Sequence, residues 1–178
     1  MIVTLKDISS SDLEMIRCWR NSERVSRFMY TSKYITKEDQ IKWFESLKNK
    51  QDIYKIFSYK SNPVGLVCIT DMDFDSLHCQ WGIYIGNENF LSSGIGIFAS
   101  LKILEKAFED LKFNKVTSMV LDYNTGAIKL NNSLGFKKYG TYEQHCKKDD
   151  IFHDMIGFSL TREVWNIKSI EIKNKLKL

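Results

Sequence analysis

A strand-like run from Leu77 to Ile85 feeds a polar loop, Gly86 to Ser93, and Gly94-Ile95-Gly96 then stands where a long helical pattern begins. That pattern carries Ile97, Leu101, Leu104, Ala107, Phe108 and Leu111. A strand that ends in a glycine-bearing loop and turns straight into a helix delivers unpaired backbone N–H groups to one point. Helix starts of this kind bind phosphate oxygens, and glycine allows close approach because it has no Cβ. Ser93, Gly94, Ile95 and Gly96 are therefore candidate ligands of a pyrophosphate. An ordinary tight turn is the competing reading. The third glycine of a dinucleotide fingerprint is missing. No Gly-Lys-Ser/Thr follows, so nucleotide hydrolysis is a poor reading.

The rest of the chain reads as short alternating elements. Val3 to Ile8 is a strand, and Ser11 with Glu14 has the spacing of a capping box opening a helix that ends near Asn21. Val25 to Tyr34 is irregular or a short helix. Thr36 and Asp39 form a second box, before a helix with Ile41, Phe44 and Leu47 on one side. Ile53 to Tyr59, Val64 to Thr70 and Leu77 to Ile85 are strands, with turn signals at Ser61-Asn62-Pro63 and Asp71 to Ser76. Connections this short favour an antiparallel meander. Trp81, Ile83 and Ile85 share one face of the third strand and Tyr84 lies on the other.

Beyond the glycine loop, Lys115 to Leu121 is a buried-type strand and Asn124 to Leu134 a helix stopped by Gly135. Phe136 to Cys146 and Ile151 to Leu160 pair as a hairpin, with Lys147, Lys148, Asp149 and Asp150 at its tip. No repeat or linker divides the pattern. The chain reads as one mixed α/β domain over residues 1–166, with a basic tail or short helix over 167–178. In that tail Ile167, Ile170 and Leu176 stand among lysines; packing on a second subunit, as a homodimer, and fraying are both open.

Charge and cysteine content exclude several classes. Lys plus Arg is 26 and Asp plus Glu is 22, a net charge of +4. This excess suits a phosphate-rich ligand. It is too small and dispersed for a nucleic-acid groove. Cys18, Cys68, Cys79 and Cys146 form no CxxC pair, and His78, His145 and His153 form no HExxH, so no metal site is expected. No apolar run approaches about 18 residues, so no membrane span is expected. A reducing, cytoplasmic setting is the simplest reading.

A second motif runs Asn124-Thr125-Gly126-Ala127-Ile128-Lys129-Leu130-Asn131-Asn132-Ser133-Leu134-Gly135-Phe136. A polar residue caps a short helix, small Ala127 permits close approach, and Leu-Gly-Phe swings into a strand. Alone this is a strand–helix–strand unit. With the glycine loop before it, the chain resembles a GCN5-related N-acetyltransferase (GNAT) over almost all of its length. The resemblance implies an acyl-CoA N-acyltransferase fold, with a central, mostly antiparallel sheet, two splayed strands and flanking helices. It implies acetyl-CoA as cofactor, held at Ile83, Ile85, Leu91, Ser93, Gly94, Ile95, Gly96, Asn124, Ala127 and Asn131.

Two positions depart from the family pattern. Leu91 stands where the pyrophosphate loop usually has Gln or Arg, although backbone donors still serve. Asn131 stands where a Tyr often protonates the departing thiolate, four residues before Gly135. Asparagine donates a hydrogen bond but is no proton source at ordinary pH. Tyr139 and Tyr142, in the next strand, are the alternative tyrosines. Cys68 is a candidate for guiding a proton, against a packed thiol. His78 and His145 are candidate proton acceptors, against structural or solvated roles.

Within the family, Arg17-Cys18-Trp19-Arg20-Asn21, Phe28-Met29-Tyr30, Ile35 to Phe44, Trp81 to Gly86 and Glu163-Val164-Trp165 resemble the branch that acetylates amino-sugar nucleotides. That resemblance implies UDP-4-amino-4,6-dideoxy-N-acetyl-β-L-altrosamine as acceptor, in pseudaminic acid biosynthesis, whose product commonly decorates flagellin. It implies Arg20, Gln40, Thr70, Asp71 and Tyr84 as substrate contacts, Arg20 on a phosphate. Tyr84 is also a catalytic candidate. Trp165 is core or a nucleobase contact. A ribosomal-protein-type amino-terminal acetyltransferase is the rival within the fold, and a coenzyme A-binding module without turnover the rival outside enzymes.

Overall fold

The computed structural model describes residues 2–31 and 33–178. They form two compact units, Met1–Thr70 with Gly82–Lys102, and Asp71–Trp81 with Ile103–Leu178.

The first unit holds β1 (Val3–Asp7), α1 (Leu13–Asn21), α2 (Glu23–Ser26), α3 (Lys37–Ser46), β2 (Ile53–Tyr59), most of β3 (Asn62–Asp73), the second half of β4 (His78–Ile85) and most of α4 (Ile95–Glu105). The strands lie in the order β1-β2-β3-β4. β1 with β2 and β2 with β3 are antiparallel, the meander that short connections favour. β3 is longer than its sequence suggests. The turn before it is made by Lys60 and Ser61, at φ 48° and 64°, so Asn62 and Pro63 already pair with Tyr59 and Ser58. A register shift between Phe57 and Ser58 accommodates Pro63, which has no N–H to give the ladder.

The first capping box is not Ser11 with Glu14 but Ser9 with Asp12. Ser9 donates to Asp12 Oδ2 from its N–H at 2.9 Å and from its hydroxyl at 2.7 Å, and Lys6 Nζ reaches Oδ1 at 2.7 Å. Lys6 gives Asp12 a partner that no spacing rule supplies. Glu14 instead takes Arg17 in a fork, with Nε at 3.0 Å and Nη2 at 2.6 Å. The box at Thr36 and Asp39 forms as the sequence suggests. Ile16 of α1 packs with Ile56 of β2 and Leu66 of β3, and Ile8, Met15, Tyr54, Cys68 and Tyr84 close around them.

The second unit holds the first half of β4, β5 (Lys115–Leu121), α5 (Thr125–Ser133), β6 (Lys137–Lys148), β7 (Ile151–Thr161) and α6 (Arg162–Leu176). Its strand order is β4-β5-β7-β6. β5 lies parallel to β4 only from His78↔Lys115 to Gln80↔Thr117, although β4 runs on to Ile85 and β5 to Leu121. The β6–β7 tip is Asp149 and Asp150, both at positive φ (48° and 64°), the two-residue turn that matches strand twist.

α6 runs from Arg162 through Leu176, so position 166 falls inside a helix. Trp165 is buried, stacks on Phe108 at 5.3 Å and donates its Nε1–H to Glu109 at 3.1 Å. Such a pair adds about 0.5–1.5 kcal/mol beyond its buried area. Trp165 is therefore core and does not face a nucleobase. Arg162 Nη2 donates to the Phe108 and Phe113 carbonyls at 2.6 and 2.7 Å.

Candidate active site

Arg20 lies one helical turn after Ile16 on α1, so it shares the face that meets the core of the first unit. Its Nη1 is buried and has no hydrogen-bond partner. Burial lowers the guanidinium's affinity for its proton, and the groups that act on its charge are Tyr84, Tyr54 and Cys68. Tyr84, from β4, also has a buried hydroxyl without a partner. Its burial pushes the phenol well above the ordinary tyrosine range, against the opposing pull of Arg20. Tyr84 therefore stays protonated and can donate.

Tyr54 is the group that sequence reasoning missed. It stands opposite Cys68 in the β2–β3 ladder, and Trp43 of α3 meets its ring edge-on at 5.2 Å. Only the strand register reveals this. Cys68 lies beside β4: a Cβ at Gly82 would stand 3.1 Å from its Sγ. Gln40 is buried on α3, which packs against α1. Thr70 is half-buried at the end of the first unit's share of β3. Asp71 is exposed in the second unit at φ 49°, and Gln80 Nε2 donates to its carboxylate at 3.0 Å. The strand continues through both residues to Asp73, so they do not form the expected turn.

The glycine loop is open. Ser92 and Gly94 have φ of 57° and 76°, and Leu91, Ser92, Ser93 and Gly94 are all exposed. A Cβ added at Gly94 or Gly96 would meet nothing within 4 Å. Ser93 Oγ donates to the Phe90 carbonyl at 2.6 Å and accepts from the Ile95 N–H at 3.4 Å, which shapes the entry to α4. Ile95 is fully buried, so only its backbone is available to a ligand. Ile83 and Ile85 are half-buried.

In the second unit, Asn124 caps α5 by accepting the Ala127 N–H at 3.1 Å. Asn131 is buried; its Nδ2 donates to the Ala127 carbonyl at 3.0 Å while Oδ1 has no partner. The reverse amide orientation would set two oxygens against each other, so the Ala127 carbonyl fixes it. Asn131 thus offers an acceptor. Tyr139 and Tyr142 are both exposed. The Tyr139 ring lies where a Cβ on Gly157 would come within 2.5 Å, and its hydroxyl reaches Met119 Sδ at 3.6 Å. Burial first, then a hydrogen bond with Tyr142, pushes Tyr139 up to about 12. His78 sits 3.5 Å from Asp73, and His145 packs its ring 5.4 Å from Tyr142. Among the described residues no cluster of three or more His, Cys, Asp or Glu side chains could hold a metal ion. No helix among them is long and apolar enough to cross a membrane.

The sequence profile of the Acetyltransferase (GNAT) domain family matches residues 3–137. The chain belongs to this family. It is similar to Acetyltransferase PseH of Campylobacter jejuni, 28% identical over 134 residues that span 75% of this chain and 82% of that protein. It is also 29% identical over 140 residues to Uncharacterized protein MJ1062 of Methanocaldococcus jannaschii, across 76% of this chain but only 28% of the relative. The fold superimposes on that of spermidine N-acetyltransferase from Vibrio cholerae, in complex with CoA and spermine, with a TM-score of 0.86. Sequence identity there is 16%, over 92% of this chain and 98% of the other. The GNAT fold makes this chain an acetyl-CoA-dependent N-acetyltransferase. The residues present are compatible with that cofactor: the chain is open at Gly94 and Gly96, at the start of an 11-residue helix, where a phosphate could approach the backbone.

Proposed function

We propose that this GNAT enzyme acetylates the 4-amino group of UDP-4-amino-4,6-dideoxy-N-acetyl-β-L-altrosamine, a step of pseudaminic acid biosynthesis in the cytoplasm. The observation that carries this reading is the buried Arg20 Nη1, which has no partner. A buried cation costs free energy unless something compensates it. An anionic acceptor supplies the compensation, and a diphosphate does so with charge-assisted hydrogen bonds. A polyamine would bring charge of the same sign. The resemblance of the amino-terminal half to the amino-sugar-nucleotide branch supports the same acceptor. Gln40, Thr70, Asp71 and Tyr84 are the further proposed sugar and nucleotide contacts, on the strength of the resemblance.

Bound acetyl-CoA supplies the thioester. The Gly94 and Gly96 N–H groups would hold its pyrophosphate, since the Ser93 N–H is donated to the Phe90 carbonyl and the Ile95 N–H to Ser93 Oγ, both at 3.4 Å. An amine on a pyranose ring is a weaker base than a lysine side chain, so no strong protein base is needed, and Tyr84 and Asn131 contribute none. Tyr84, kept protonated, orients the acceptor by donating a hydrogen bond. The Gly86 N–H, just after β4, donates to the Val64 carbonyl at 2.8 Å and so is not free to stabilise an oxyanion. Much of the rate then comes from holding amine and thioester together. Asn131 Oδ1 accepts a proton-bearing group but delivers no proton.

A thiol-release assay with acetyl-CoA tests this. The altrosamine nucleotide, its C4 epimer and a panel of amino-terminal peptides are compared. Selective turnover of the altrosamine is expected. Turnover confined to peptides would replace the acceptor and leave the GNAT assignment standing.

A further inference from the structure

We propose that Arg24, on α2, is a positioning residue that keeps Arg20 and Tyr84 in register for the acceptor. The inference rests on the acceptor site proposed above. Arg24 is half-buried and forked: Nη1 donates to the Ile85 carbonyl at 2.9 Å and Nη2 to the Gly86 carbonyl at 2.6 Å. The peptide units it grips are gripped again from the other side. The Gly86 and Asn87 N–H groups both donate to the Val64 carbonyl, at 2.8 and 2.9 Å. A chain of charge-assisted and backbone hydrogen bonds thus runs from α2 through the end of β4 to β3.

The position of this brace gives it a role. Arg24 lies four residues after Arg20, and Ile85 is the residue after Tyr84. α1 and α2 meet at Ser22, where the backbone is extended (φ −63°, ψ 135°), so packing of α1 alone does not fix the chain beyond Arg20 against β4. Arg24 does so instead. A second contact supports it: a Cβ on Gly86 would stand 2.0 Å from Trp19 Cδ2, so Trp19 lies directly on the backbone that Arg24 grips. The Arg24 charge is spent on carbonyls, whereas Arg20 Nη1 has no partner. The two arginines divide the work: one builds the site and the other waits for the anion. A lysine at 24 would deliver the charge at one point and lose the planar fork.

The test uses R24K and R24M, with L160A as a core control of comparable stability loss outside the site. Steady-state kinetics are measured with whichever acceptor the wild type acetylates. Expected in R24M is a rise of about 10- to 100-fold in acceptor KM that clearly exceeds any rise in acetyl-CoA KM, Ile85 being itself a candidate cofactor contact. R24K is expected to recover only part of the loss, and L160A to show no such split. Amide hydrogen exchange gives a second readout that needs no activity. Exchange at Gly86 and Asn87 is expected to rise about tenfold or more in R24M while β2 amides keep their protection. Unchanged protection at Gly86 and Asn87, or equal rises in both KM values, overturns the proposal. Failure of the acceptor reading shows differently, as absent turnover of the sugar nucleotide by the wild type.

Discussion

The Arg20 guanidinium and the Tyr84 phenol act on each other's charge within one buried environment, and Arg20 Nη1 and the Tyr84 hydroxyl both lack a partner. In the proposed reading the acceptor partners both groups. R20M should therefore separate stability from function. Removing an uncompensated buried charge should raise Tm, by about 2–4 °C for each kcal/mol gained in a chain of this size. The same change should raise acceptor KM by about 10- to 100-fold, the worth of a hydrogen bond to a charged group. Calorimetry and initial rates read both effects. A fall in Tm would mean that Arg20 has a structural partner and is not waiting for one.

Gly96 separates the two properties on the cofactor side. A Cβ there meets nothing within 4 Å, and Gly96 lies in the first turn of α4. G96A should fold normally and gain up to about 1 kcal/mol from helix propensity. The new methyl group would occupy space that a pyrophosphate needs, so acetyl-CoA KM should rise about tenfold or more while acceptor KM stays level. Titration of coenzyme A by calorimetry, beside urea unfolding, decides it. Unchanged affinity would place the pyrophosphate elsewhere.

What the sequence showed and what it hid divide along physical lines. The glycine loop, the Thr36 box and the Lys115–Leu121 strand depend on neighbours in sequence, and all three stand where the pattern puts them. The Ser9 box was hidden because Lys6, from the preceding strand, chose Asp12. The length of β3 was hidden because Lys60 and Ser61 adopt positive φ with no glycine to announce it. Arg20 and Tyr84 were legible only through resemblance. That Arg20 Nη1 and the Tyr84 hydroxyl lack partners, that Tyr54 lies near them and that Arg24 grips the Ile85 and Gly86 carbonyls follow from tertiary structure, and no spacing encodes them.

Tyr139 carries a prediction about proton delivery. Its hydroxyl is engaged by Met119 Sδ and by Tyr142, and its ring covers Gly157. These contacts describe a packing residue of the β6–β7 hairpin. Y139F should keep kcat and both KM values within about twofold if those contacts are the whole of its role. A drop of about 100-fold in kcat, with a lost alkaline limb in the pH profile, would restore Tyr139 as the general acid.

Cys79 should make one contribution to stability that fades at alkaline pH. It is completely buried in β4, pairs with Val116 of β5, and burial pushes its thiol up to about 12. In the unfolded chain the same thiol titrates near about 8.5. Its folded pKa is raised, so the unfolded state loses its proton first as pH increases. The contribution is whole below the unfolded value and is lost as pH climbs toward the folded one. Between those limits each pH unit should remove about 1.4 kcal/mol, if the thiolate is as poorly solvated as its burial implies. C79A leaves a small cavity, at a cost that does not depend on pH, and removes this linkage. The stability gap between wild type and C79A, measured by urea unfolding at pH values from about 8 to 11, should therefore narrow steadily as pH rises. A gap that stays constant over that range would mean that the buried thiol takes up its charge in the folded chain as readily as in water.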